Sequence, residues 1–138
     1  MAKLAIFGSR TLADERVKAC IREEINAYGI TELITAAEPQ GVCRTAHDIA
    51  KETGLPLKLY FLNFKYRRGA FEHRSKAILA DTDRAILIHD GRSRGTSNEL
   101  KLTQKLGVQY TYHKLDIIEQ PGDITFDGIK DWEWQESD

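Results

Sequence analysis

Arg84-Ala-Ile-Leu-Ile-His89, followed by Asp90-Gly-Arg-Ser-Arg-Gly-Thr-Ser-Asn-Glu-Leu100, is the stretch on which the fold turns. Its first part is a short apolar run of the kind that forms a strand buried on both faces. The second part is a glycine-containing loop that leads into a new helix. Ahead of the strand, Glu72-His-Arg-Ser-Lys-Ala-Ile-Leu79 has the character of a basic helix. Helix, buried strand, loop and helix in succession form the repeating unit of a parallel α/β sheet. The arrangement gathers backbone N–H groups and arginines at one strand end, where a phosphate can sit. A sugar phosphate or nucleotide is therefore the first ligand class to consider.

The same alternation extends in both directions. Residues 3–7 form an apolar strand that runs into Gly8-Ser9-Arg10. Asp14 can cap a helix reaching about Tyr28, with Val17, Cys20, Ile21 and Ile25 on one face and Gly29 ending it. A strand over 32–35, a loop over 36–43, a helix over 45–53 closed by Gly54 and Pro56, and a strand over 57–62 follow. Residues 63–69 form a polar, basic loop before a helix from 70 to about 81. Beyond the central strand, a helix over 96–106 stops at Gly107, and 108–113 is the last strand. This predicts an α/β fold with a doubly wound, mostly parallel five-stranded sheet and helices on both faces. Ligands of such sheets bind beyond the carboxyl ends of the strands, where the strand order reverses.

One domain covers residues 1–115. Residues 116–138 form an acidic extension that breaks the pattern: Pro121-Gly122-Asp123 signals a turn, 124–126 an edge strand, and Trp132 and Trp134 alternate among acidic neighbours. Two tryptophans in such a segment point to docking on the domain or to a dimer contact, so a homodimer or higher homo-oligomer is expected. The 138 residues are 41% hydrophobic and 30% charged, with no apolar run long enough to cross a bilayer, so no membrane partner is expected. The start of the chain enters a strand directly, without a secretory pattern, and a cytoplasmic location is expected. A net charge of −1 gives no global field for nucleic acid, although Arg67, Arg68, Arg74, Lys76, Arg84, Arg92 and Arg94 crowd the middle. A lack of interleaved aromatics in the basic loop further disfavours a nucleic-acid partner. Cys20, Cys43 and four scattered histidines (His47, His73, His89, His113) show no metal or redox spacing, and no metal or cofactor is expected.

The chemistry-bearing residues lie in the loops after the strands. Gly8 would let the backbone turn sharply, Ser9 offers a hydroxyl, and Arg10 is a bidentate donor to phosphate or carboxylate. One glycine is too few for a dinucleotide fingerprint, and a Gly-Lys-Ser or Gly-Lys-Thr phosphate loop is lacking. Gly41 and Gly91 are the candidate ligand-facing glycines of the other two loops. In the late loop Ser93, Arg94, Gly95, Thr96 and Ser97 combine hydroxyls, a cation and close backbone approach at a helix start, which favours an anion. Glu99, expected in the first turn of that helix, would repel the same phosphate and is better suited to sugar hydroxyls or a reacting carbon. A capping box alone would also account for Ser, Thr and Glu here. Arg74 and Lys76 are two apart and cannot share a helix face, and Arg74 is the better candidate to enter the site.

Taken together, strand–Gly8-Ser9-Arg10, Thr35-Ala-Ala-Glu-Pro-Gln-Gly-Val42, Arg74 followed by Lys76, and Ser93-Arg-Gly-Thr-Ser-Asn-Glu99 resemble the SLOG superfamily. This Rossmann-like group contains the DprA/Smf and LOG proteins, and the likeness is greatest to the small bacterial and phage YspA/YpsA-like branch. It covers residues 3–113. LOG enzymes carry Pro-Gly-Gly-x-Gly-Thr-x-x-Glu and an upstream Arg-Lys pair, and they hydrolyse nucleoside 5′-monophosphates to base and ribose 5-phosphate. Gly95, Thr96 and Glu99 match the Gly-Thr-x-x-Glu portion, and Arg74 matches the arginine, with Ser75 inserted before Lys76. Asp90-Gly91-Arg92-Ser93-Arg94 replaces Pro-Gly-Gly, and residues 36–41 lack the usual glycines.

The resemblance therefore implies a binder of a nucleotide or nucleotide-derived signal. Arg10, Arg94, Thr96 and Ser97 would hold phosphate, and Arg74 and Glu99 would contact ribose. The alternative is a phosphoribohydrolase, a nucleoside-monophosphate N-glycosidase in which Glu99 stabilises charge or activates water and Arg74 orients substrate or stabilises the leaving base. A DNA-binding or protein-interaction module is the third class.

Overall fold

The computed structural model describes residues 2–118, in which five strands and four α-helices alternate. They are β1 (Lys3–Gly8), α1 (Glu15–Tyr28), β2 (Glu32–Ala36), α2 (Gly41–Thr53), β3 (Leu57–Tyr60), α3 (Ala70–Ala80), β4 (Arg84–His89), α4 (Arg94–Lys105) and β5 (Tyr110–Lys114). A 3-10 helix, Phe64–Gly69, joins β3 to α3. All five strands are parallel, in the order β3-β2-β1-β4-β5. The expected acidic extension from 119 onward, with its turn, edge strand and tryptophans, lies outside the described residues.

Alternation along the strands produces two cores. Leu4 and Ile6 of β1 and Ile86 and Ile88 of β4 face Val17 and Ile21 of α1 and Val42 and Ile49 of α2. The intervening Ala5, Phe7, Ala85 and Leu87 face Ile78 and Leu79 of α3 and Leu102 of α4. A sheet covered on both faces needs continuous apolar strands, which is why residues 84–89 lack a polar face. Each fully buried side chain of this size contributes about 1.5–3 kcal/mol.

The helix ends account for where the elements begin and stop. The Asp14 carboxylate accepts the Arg16 N–H at 2.9 Å, and Gly29, with φ 58°, closes α1 by donating to the Ile25 carbonyl. α2 begins four residues before its expected start, because Gly41 takes φ +77° and lies against β1's exit: a Cβ there would sit 2.4 Å from Arg10 Cα. The Val42 N–H then donates to the Ser9 carbonyl at 3.2 Å. Cys43, expected in a loop, is consequently a buried helical residue. Likewise α4 begins at Arg94, not Thr96, so Glu99 falls in its second turn.

After reaching β3 the chain crosses back over the opposite face and lays β4 beside β1. The strand order reverses at that pair, and a crevice opens beyond their carboxyl ends. Arg84, one of the basic residues of the middle segment, is at the other end of β4. It is committed to Glu24 and Thr111 and lies 3.6 Å from the Tyr28 ring centroid.

Candidate functional site

Ser9 is the first residue past β1, and its backbone N–H still bonds to β4 through the Ile88 carbonyl at 3.0 Å. The Ser9 hydroxyl accepts the Asp90 N–H at 3.0 Å and lies 3.5 Å from the Thr96 hydroxyl, so the three segments bordering the crevice are joined through one buried oxygen. Asp90 organises the loop after β4. Its carboxylate accepts the Thr11 hydroxyl at 2.6 Å and the Arg92 and Ser93 N–H groups at 2.7 Å each. Burial opposes the charge, but these donors outweigh it and hold Asp90 well below the usual carboxylate range. His89 fastens the other side of the loop. Since the Ser93 carbonyl only accepts, Nε2 donates to it (3.0 Å), and Nδ1 lies 2.7 Å from the Tyr112 hydroxyl.

Beyond this scaffold are three arginines and two carboxyls. Glu38, in the loop after β2, bridges Arg10 at 2.9 Å and Arg74 at 2.8 Å. Arg74 is only 6% exposed; its Nε has no partner among the described residues, and its guanidinium stands 5.4 Å from the Phe71 ring centroid. Arg94 makes no ion pair among the described residues. Glu99 lines the crevice, half-buried against its wall. Burial pushes its carboxyl up to about 8; Arg74 pulls the other way, and repulsion from Glu38 adds to the rise. At neutral pH Glu99 is therefore mostly protonated. The Cys43 thiol, on the crevice wall, is pushed up by burial to about 11, which leaves it a poor nucleophile at neutral pH.

The start of α4 completes the wall. Ser93 occupies the N-cap position without a side-chain cap bond, and the first helical hydrogen bond runs from the Ser97 N–H to the Ser93 carbonyl. The N–H groups of Arg94, Gly95 and Thr96 precede that bond and have no intrahelical partner. A Cβ at Gly95 would meet nothing within 4 Å, so the backbone there is open to close approach.

The crevice has a volume of about 340 Å³ and is bordered by Gly8, Ser9, Arg10, Arg74, Ser93, Arg94, Gly95, Thr96 and Glu99, all expected from sequence. Three other expected residues do not line it. Ser97 lies 3.5 Å from His89 Nε2, Gly91 packs against the Lys114 side chain, and Gly41 seats α2 on the β1 loop. Gly8 is required for a different reason than the expected sharp turn: a Cβ would fall 2.4 Å from Val42 Cβ. Lys76 points away and pairs with Glu72 at 3.8 Å. Sequence reasoning missed Glu38, Thr11 and Asp90, although an acid in a loop otherwise facing arginines was a usable signal for Glu38. It also missed that the basic segment does carry interleaved aromatics: Phe61, Phe64, Tyr66 and Phe71 are exposed among Lys65, Arg67 and Arg68.

Among the described residues, no group of three or more His, Cys, Asp or Glu side chains could hold a metal ion, and no helix is long and apolar enough to cross a membrane. No family model, curated protein or solved structure matches this chain.

Proposed function

We propose that this protein binds a nucleotide or nucleotide-derived signal in the crevice between β1 and β4, in the manner implied by its SLOG-like sequence. The observation that carries the proposal is the convergence of Arg10, Arg74 and Arg94 with the uncapped start of α4 on one crevice. With Glu99 protonated, Glu38 is the one acidic counterweight bordering it among the described residues, and these give the site net positive charge. A phosphate is the natural occupant of a helix start flanked by arginines. The half-exposed Phe71 ring offers an apolar face for a base, and Glu99 can donate to a sugar oxygen.

A second reading is hydrolytic. A carboxylic acid that keeps its proton to about pH 8 suits general-acid assistance to a departing base, a better match than activation of water. Glu38, paired with Arg10 and Arg74, would supply negative charge near an oxocarbenium-like centre.

The test is calorimetric titration with the four nucleoside 5′-monophosphates, each mixture then analysed by mass spectrometry. At least one should bind, and Arg94→Ala should weaken it about tenfold or more, the worth of one charge-assisted hydrogen bond. Intact nucleotide after incubation supports the binder. Free base with ribose 5-phosphate, above a Glu99→Gln control, makes the protein a hydrolase. No binding by any of the four overturns both readings.

A further inference from the structure

The crevice does not end at Glu99. Past Phe71, Arg94, Gly95 and Glu99, which border both spaces, it opens into an outer lobe of about 630 Å³ between α3 and α4. The inner lobe alone is near the lower limit for a small-molecule pocket, and a mononucleotide would leave the larger space empty. The walls of the outer lobe are strongly one-sided in charge. Arg68, Arg94, Lys101 and Lys105 line it, and none of the four makes an ion pair among the described residues.

Lys101 and Lys105 are one helical turn apart, an arrangement of like charges that costs stability unless something anionic offsets it. Glu72, the other acid on the lobe besides Glu99, leans toward Lys76. Phe71, its ring 53% exposed, borders both lobes, and Leu102 lines the outer one. Cationic groups in each lobe and one aromatic ring bordering both match phosphate, base and phosphate.

We infer that the ligand is a nucleotide extended by a second phosphorylated unit, with two phosphates separated by one nucleoside, and that Lys101, Lys105 and Arg68 hold the second phosphate. The inference rests on the nucleotide-binding proposal above and specifies its ligand class. The same chemistry is offered by a free dinucleotide and by the 5′-phosphorylated end of a single strand.

The test takes whichever of the four nucleoside 5′-monophosphates binds the full chain best. It is compared with its 5′-phosphorylated dinucleotide and with a 5′-phosphorylated twelve-nucleotide homopolymer, by calorimetry at 0.05 and 0.2 M salt. The dinucleotide should bind about tenfold more tightly than the mononucleotide, with a steeper salt dependence. In Lys101→Glu/Lys105→Glu, on the helix surface, that advantage should vanish, with circular dichroism confirming the fold. Equal affinity for dinucleotide and homopolymer assigns the site to strand ends as well as free dinucleotides, whereas exclusion of the homopolymer restricts it to the small molecule. A mononucleotide that binds while its dinucleotide gains nothing overturns this inference and leaves the nucleotide-binding proposal standing. Failure of every mononucleotide removes the proposal beneath it.

Discussion

Replacing Glu99 by Gln tests the electrostatics of the crevice without a ligand. The carboxyl moves from 4.5 in a solvated chain to about 8 in the fold, chiefly through burial. A folded-state pKa raised above the unfolded value means that the native state binds the proton more tightly. The native state is therefore penalised progressively as pH rises from about 4.5 to 8, and by a constant amount above that. At roughly 1.4 kcal/mol per tenfold, the full displacement corresponds to about 5 kcal/mol. Water reaching the carboxyl through the open crevice reduces this, and a penalty of about 2–4 kcal/mol at pH 9 is the working figure. Glutamine is close in shape to the protonated acid and does not titrate. Urea denaturation of both proteins at pH 5, 7 and 9 should thus show near-equal stability at pH 5 and an advantage for Glu99→Gln that grows to pH 9. Other titrating groups cancel in the difference. A pH-independent difference, or a wild type that gains on the variant as pH rises, would refute the reasoning. It would mean that Arg74 holds Glu99 ionised, and the general-acid role would fall with it.

The two glycines that border the crevice should respond in opposite ways. Gly8→Ala forces a methyl into Val42 and should cost about 1–3 kcal/mol of stability in a thermal melt. Gly95→Ala meets open space within a helix and should be neutral or stabilising by up to ~1 kcal/mol. It should nevertheless weaken nucleotide binding, and unchanged affinity would place the ligand away from the start of α4. Association through the acidic extension is tested by sedimentation of a chain ending at Ile118, which retains the Arg16 contact to the Asp116 carbonyl. A smaller species is expected, and an unchanged one takes the extension out of the interface.

The fold was legible because its determinants are local. The four-residue apolar runs of β1 (4–7) and β4 (85–88), Asp14 before α1 and Gly29 after it are signals that adjacent residues carry by themselves. The misplaced helix starts had no such signal. α2 starts on a glycine whose position is dictated by contact with Arg10, 31 residues earlier in the chain, and neither Gln40 nor Ser93 makes the side-chain bond expected of a cap. The crevice was half legible. The residues of the loops after β1 and β4 are contiguous in sequence, so their gathering followed from topology. Glu38 was not, because what matters about it is its pairing with Arg10 and Arg74, 28 and 36 residues away, a long-range geometry without a local pattern.

The pairing of Glu38 also explains why Glu99 stays protonated so near three arginines. Arg74 is buried and has directional donors; one of them is spent on Glu38, and the same carboxylate takes Arg10 through its other oxygen. Glu99 is left with burial, a partial attraction to Arg74 and repulsion from Glu38, and the first outweighs the second. One crevice thus holds one carboxylate that the arginines contact directly, Glu38, and one carboxyl that burial keeps protonated, Glu99. A phosphate entering beside Arg10 and Arg94 would add negative charge to the crevice and drive Glu99 further toward its neutral form. The ligand would then meet a hydrogen-bond donor at that position and not a repelling anion. This removes the conflict, apparent in the sequence, between a glutamate in this helix and a phosphate at its start.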